Sequence, residues 1–83
     1  MFVRTQDNRL VNLSNIKVVN THCLGHPTNN HYSLRANNDS SVYDLYEGTL
    51  EKVNLAYETL IEAVIKGASL ISYYKEDIDE NMD

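Results

Sequence analysis

Eighty-three residues, 42% apolar and 23% charged, are enough for one water-soluble domain and exclude a two-domain enzyme, a doubly wound nucleotide-binding fold and a barrel enzyme. So short a chain buries only about 60–65% of its unfolded surface, which sets its expected stability on the order of 5 kcal/mol. The net charge is −5, but five of the twelve acidic residues fall in the last eight, so residues 1–75 carry seven of each sign and lack the clustered basic face that a phosphate backbone requires.

Phe2-Val3-Arg4-Thr5 reads as a short strand. Asp7-Asn8 supplies a turn, because both side chains tolerate left-handed backbone angles. Leu10-Val11-Asn12-Leu13 returns as its partner, and Ser14-Asn15 turns the chain again. Ile16 to Cys23 is rich in β-branched residues and predicts a third strand. Ile16 and Val18 should share one face, and Val19, Thr21 and Cys23 the other. Leu24 to Asn30, punctuated by Gly25, Pro27 and Asn29-Asn30, predicts a loop. Tyr32 to Ala36 alternates as a half-buried strand does. After the polar turn Asn37 to Ser40, Ser41 to Tyr46 should return beside it.

Gly48 ends that strand and Thr49 caps a helix. Leu50, Val53, Tyr57, Leu60, Ile61, Val64 and Ala68 then fall on one stripe at helical spacing. Leu55 lies opposite this stripe and Ile65 flanks it, so both are candidates for a contact surface. Gly67 can end the helix. Leu70 to Tyr74 reads as a closing strand or one more helical turn, with composition favouring the strand. Glu76 to Asp83 holds five acids and no base, which predicts a disordered acidic tail after a single domain over residues 1–75.

Together these elements predict an α+β domain. An antiparallel sheet of four to five strands, in the order β-β-β-β-α with an optional final short strand, packs on one long C-terminal amphipathic helix. One helix cannot cover both sheet faces, so the free face should be polar or covered by a partner.

Cys23 is the only cysteine. It excludes an internal disulfide and suits a reducing compartment, so the expected location is cytoplasmic. The N-terminus turns polar within four residues, which predicts no signal peptide. No apolar run reaches the length of a membrane span, so no membrane partner is expected.

His22-Cys23-Leu24-Gly25-His26, with His31 beyond, is the one concentration of metal-type ligands. Cys23, His26 and His31 form the candidate zinc set, without a clear fourth ligand. A strand sends His22 and Cys23 to opposite faces, so these two do not share a metal. As a nucleophile, Cys23 is poorly placed at a strand end. Asp44, Glu47, Glu51, Glu58 and Glu62 read as solvated carboxylates, since Glu58 and Glu62 share the polar side of the helix. No catalytic residue and no cofactor are therefore expected, and the chain is read as a non-enzyme.

Six tyrosines against one phenylalanine and no tryptophan suit half-buried sheet positions and interfaces. Tyr43 and Tyr46 should lie on opposite faces of their strand, leaving one of them outside the core. With Leu55 and Ile65 they form the candidate interface set. A homodimer is the leading expectation, with an unknown protein partner as the wider one. An inhibitor that docks its acidic tail on a basic groove is an alternative, and a small zinc protein is another.

Phe2-Val3-Arg4-Thr5 and Leu10 to Ile16 resemble the start of small proteins, of fewer than a hundred residues, from Firmicutes and their phages. The resemblance continues at Tyr32 to Ala36, Leu45 to Thr49, Ile65 to Ala68 and Leu70 to Tyr74. It implies an antiparallel sheet on one long helix; the leading functional reading, an interaction or accessory protein of phage-related type, comes from the lack of a catalytic constellation and from the available tyrosines and Leu55. It brings no activity and no functional residue. The Cys23 to Asn30 loop and the acidic tail depart from it.

Overall fold

The computed structural model describes residues 1–75; the expected acidic tail, residues 76–83, lies outside them. The described elements run β1 (Phe2–Arg4), β2 (Leu10–Asn12), β3 (Val18–Cys23), β4 (Tyr32–Asn37), β5 (Val42–Gly48), α1 (Leu50–Ile65) and β6 (Leu70–Ser72). Short 3-10 turns at Leu13–Asn15 and Pro27–Asn29 flank β3. The α+β class stands, but the strands form two three-stranded sheets rather than one sheet of four to five. Sheet A has the order β2-β1-β6 and sheet B the order β3-β4-β5. Sheet B is wholly antiparallel, whereas β6 runs parallel to β1, with Val3 opposite Ile71. Five strands precede the helix rather than the four of the expected order, and the optional final strand is present as β6.

Local chemistry explains the break between sheets. The Asn12 side chain accepts the Ser14 N–H and seeds the 3-10 turn. That turn takes the chain out of sheet A before β3 begins at Val18, two residues later than the expected strand. Ile16 consequently sits in the bend and packs against the core, while Val18 is exposed. Beyond it the alternation holds: Val19, Thr21 and Cys23 point inward and Asn20 and His22 outward.

The first hairpin turns at Thr5. Its buried hydroxyl accepts the Arg9 N–H and donates to Asp7, and Asn8 takes a φ of 67°. Between β4 and β5, the Asn38 carboxamide oxygen accepts the N–H groups of Ser40 and Ser41. Thr49 caps α1 by accepting from Lys52. At the other end Ala68 N–H donates to Ala63 and Gly67 N–H to Val64. This is the Schellman pattern, with Gly67 at φ 73°. A Cβ at Gly67 would meet nothing within 4 Å, so conformation rather than space selects glycine there. Ala68, expected on the helical stripe, lies past this stop.

The core joins all three layers. Val53, Ala56 and Leu60 of α1 pack with Leu34, Ala36 and Leu45 of sheet B and with Val3, Val11 and Tyr73 from sheet A and its end. The Tyr73 hydroxyl donates to the Ala56 carbonyl, and its ring meets Tyr46 edge-on at 5.7 Å between centroids. Burial pushes the Tyr73 phenol far above its usual value. It therefore stays protonated and can keep donating.

Leu34 has no exposed surface, whereas Leu55 is 63% exposed. Leu34→Ala should lower the unfolding free energy by about 2–5 kcal/mol, close to the whole expected stability. Leu55→Ala should change it by less than about 0.5 kcal/mol. Urea unfolding followed by circular dichroism checks the contrast.

Candidate functional site

An open groove of about 520 Å³ lies where the two sheets meet the end of α1. Met1 and Leu13 line it from sheet A and the first bend, Ile16, Val18 and Val19 from the approach to β3 and the strand itself, and Val64 from the helix. Lys17 and Ser14 supply polar rim groups. The groove exists because the 3-10 turn swings β3 away from sheet A while Gly67 folds the chain back toward β6. It holds no assembly of acid, base and nucleophile.

Around it the surface is apolar. Val64 is 57% exposed, Ile65 79% and Val18 51%, with Ile61 and Leu50 partly open on the same helix flank. Of the expected interface set, Leu55 and Ile65 are thus on the surface. Ile65 adjoins the groove residue Val64, while Leu55 stands apart on the far side of the helix.

Tyr43 and Tyr46 behave differently from expectation. Register shifts between Leu34, opposite Tyr46, and Arg35, opposite Asp44, so Leu45 is an extra residue on β5. This β-bulge brings Tyr43 and Tyr46 to one face, beside Ala36 and Leu34. Both pack against the core. The Leu45 side chain is fully buried, and its carbonyl accepts the Gln6 N–H at 2.9 Å.

The opposite face of sheet B is polar. Ser33 Oγ and Arg35 Nε each donate to Asp44 Oδ1 at 2.7 Å. Asn37 donates to Asn20 across the strands. His22 stands opposite Ser33, so serine, histidine and carboxylate share one neighbourhood. The order needed for nucleophilic catalysis is not formed, because the fully buried Ser33 hydroxyl donates to Asp44 directly. Desolvation pushes the Asp44 carboxyl up. The hydrogen bonds from Ser33 and Arg35, with the nearby charges of Arg35 and His22, outweigh it and hold the carboxyl below its usual value. This cluster was missed in the sequence, although Ser33 and Arg35 alternate with the core residues Leu34 and Ala36.

The candidate zinc residues are engaged separately. The Cys23 thiol lies 3.8 Å from the Gly25 carbonyl, His26 Nδ1 is 2.8 Å from Thr28 Oγ1, and His31 Nε2 is 3.5 Å from Glu47 Oε1. Cys23 is also the cross-strand neighbour of Tyr32. Partial burial raises the Tyr32 phenol, and the adjacent Cys23 adds to this. Among the described residues no three His, Cys, Asp or Glu side chains gather where they could hold a metal ion. Nor is any helix there long and apolar enough to cross a membrane.

Comparison with protein-family models, curated proteins and solved structures finds no match. Function has therefore to be argued from the groove, the helix flank and the sheet edges.

Asp44 gives a test of the polar cluster. Its folded-state carboxyl lies below the usual 3.8. Its stabilisation is therefore present above that value and is lost as pH falls through the lower, folded-state value. Asp44→Asn should be less stable than the parent near neutral pH, by roughly 1–2 kcal/mol. The gap should narrow toward about pH 2. Paired thermal melts across that range check it.

Proposed function

We propose that the protein is a non-enzymatic interaction module that acts as a homodimer. The observation that carries this reading is the apolar groove lined by the exposed Val18 and Val64, on a helix that also exposes Ile61 and Ile65. Scattered exposed aliphatics are ordinary, but a contiguous patch beside a groove is characteristic of a contact surface. A groove and protruding side chains within one patch suit a two-fold interface, where the same surface must supply both knob and hole. A second copy also suits a small domain, because association adds stability that one small core lacks.

The polar groups found together support a structural role for themselves. Asp44, Ser33 and Arg35 satisfy one another, and no buried side-chain nitrogen or oxygen among the described residues lacks a partner. The reducing cytoplasm is the setting that suits a lone, half-buried Cys23. An accessory role of the kind suggested by resemblance to small Firmicutes and phage proteins fits the same reading.

Native mass spectrometry of untagged protein purified without chelator tests it. The expected result is a metal-free dimer. Val64→Glu, at an exposed helix position, should leave the fold intact and raise the dimer dissociation constant at least about tenfold. A monomer up to about 100 μM overturns the dimer, since it excludes an association free energy stronger than about −5.5 kcal/mol. A bound zinc lost on changing Cys23 would favour the histidine loop instead.

A further inference from the structure

We infer that the dimer forms by antiparallel pairing of β3 with β3 of a second copy, which joins two sheets B into one continuous six-stranded sheet. This rests on the dimer reading above and adds the surface and the geometry.

An open edge invites another strand, and natural sheets guard theirs by shortness, charge, proline, bulges or a covering segment. Sheet A ends in β2 and β6, each only three residues long. Sheet B ends in β5 and β3. The β5 edge is covered. Gln6 donates its backbone N–H to Leu45, accepts the Glu47 N–H with its side-chain oxygen, and donates its side-chain amide to the Glu47 carbonyl. The β3 edge has no such guard. Val18–Cys23 is six residues long and contains no proline and no Asp, Glu, Lys or Arg. Its register against β4 is unbroken.

Register also says which groups are free. Leu24 N–H donates to the His31 carbonyl where the hairpin closes. Cys23 lies opposite Tyr32 in the same register. The even-numbered residues of β3 therefore bond to β4, and the backbone groups of Val19, Thr21 and Cys23 point to the open side. Two of these groups have contacts already. The Tyr57 hydroxyl donates to the Val19 carbonyl at 2.9 Å, and the Asn20 side chain reaches the Thr21 carbonyl at 3.3 Å. A carbonyl oxygen has two lone pairs, so neither contact closes the edge to a strand.

Three features select a second copy as the occupant. First, antiparallel pairing about a two-fold axis sets Thr21 opposite Thr21 and Val19 opposite Cys23 of the other copy, so every donor meets an acceptor reciprocally. Second, the strand carries no fixed charge to repel its own copy, and in this register Lys17 falls opposite Gly25 rather than Lys17. Third, the helix flank above this edge is apolar. Tyr57 is tied to Val19, and Val64 lines the groove with Val19. Ile61 lies between them on the same stripe. The inward side chains of an added β3, which are Val19, Thr21 and Cys23, would fall under that stripe, so the open edge and the open helix flank are covered by one partner.

Thr21→Pro tests the pairing. It removes an N–H that points away from β4, a position where proline is tolerated on an edge strand. The expected outcome is a folded protein with a cooperative melt and a dimer dissociation constant raised at least about tenfold. Hydrogen exchange of the parent supplies the second measurement and needs no variant. The amides of Val19, Thr21 and Cys23 should be protected at high concentration and exchange fast on dilution, while those of Asn20 and His22 stay protected at both. If Thr21→Pro dimerises as the parent does, or if the odd-numbered amides exchange equally at both concentrations, the β3 interface is wrong and the dimer itself stands. A parent that is monomeric at high concentration overturns both. Should Thr21→Pro fail to fold, the exchange pattern of the parent decides alone.

Discussion

One helix has to close two sheets, and the rest of the molecule follows from how it divides its surface. Val53 and Leu60 of α1 turn toward Leu34, Ala36 and Leu45, while Ala56 receives the Tyr73 hydroxyl from the end of sheet A. A helix buries a stripe, not its circumference. With that stripe set on sheet B and met by Tyr73 from beyond β6, the flank bearing Tyr57, Ile61 and Val64 is left beside β3 with only part of its area covered. The exposed aliphatics are thus a geometric remainder of setting two sheets against the sixteen residues of α1.

Much of this fold is legible because its signals are local. Asp7-Asn8, Thr49 and Gly67 each act within one turn of chain, and the structure uses all three near their expected places. The parallel pairing of β1 with β6 left no such trace. It joins residues nearly seventy positions apart, and strands of three residues are too short to display a period. Sheet number was therefore beyond the sequence, whereas strand positions were not. The Leu45 bulge is an intermediate case. Val42-Tyr43 and Leu45-Tyr46 are two apolar pairs separated by Asp44, which a regular alternating strand does not produce. That break in period was the available sign that Tyr43 and Tyr46 share a face.

The candidate site divides in the same way. Ile65 and Leu55 could be singled out because helical spacing fixes their direction without knowledge of the partner layer. The groove could not, since Met1, Leu13, Ile16 and Val64 meet only after β3 leaves sheet A. The histidine loop is legible only as spacing, which says that metal-type residues can meet; in the structure Cys23, His26 and His31 contact Gly25, Thr28 and Glu47 separately. Asp44 likewise drew notice as a carboxylate and turned out to be half of a cross-strand cluster. Its neighbours Ser33 and Arg35 both donate to its Oδ1, which ties the carboxylate to β4.

The unguarded strand acquires meaning from how the others are treated. Gln6 commits its backbone and both ends of its carboxamide to covering β5, a use of a surface glutamine that makes sense if an exposed edge carries a cost. Lys17 is the residue placed to protect β3, immediately before its first residue. Its ammonium is instead 2.7 Å from Asp39, in the turn between β4 and β5. Such an exposed pair contributes only about 0–1 kcal/mol, so it is a poor reason to hold a lysine there for stability. Its more evident consequence is to take the charge away from the edge. A chain that covers one edge, shortens two others and pairs Lys17 with Asp39 beside the fourth has left that fourth edge fit for a strand.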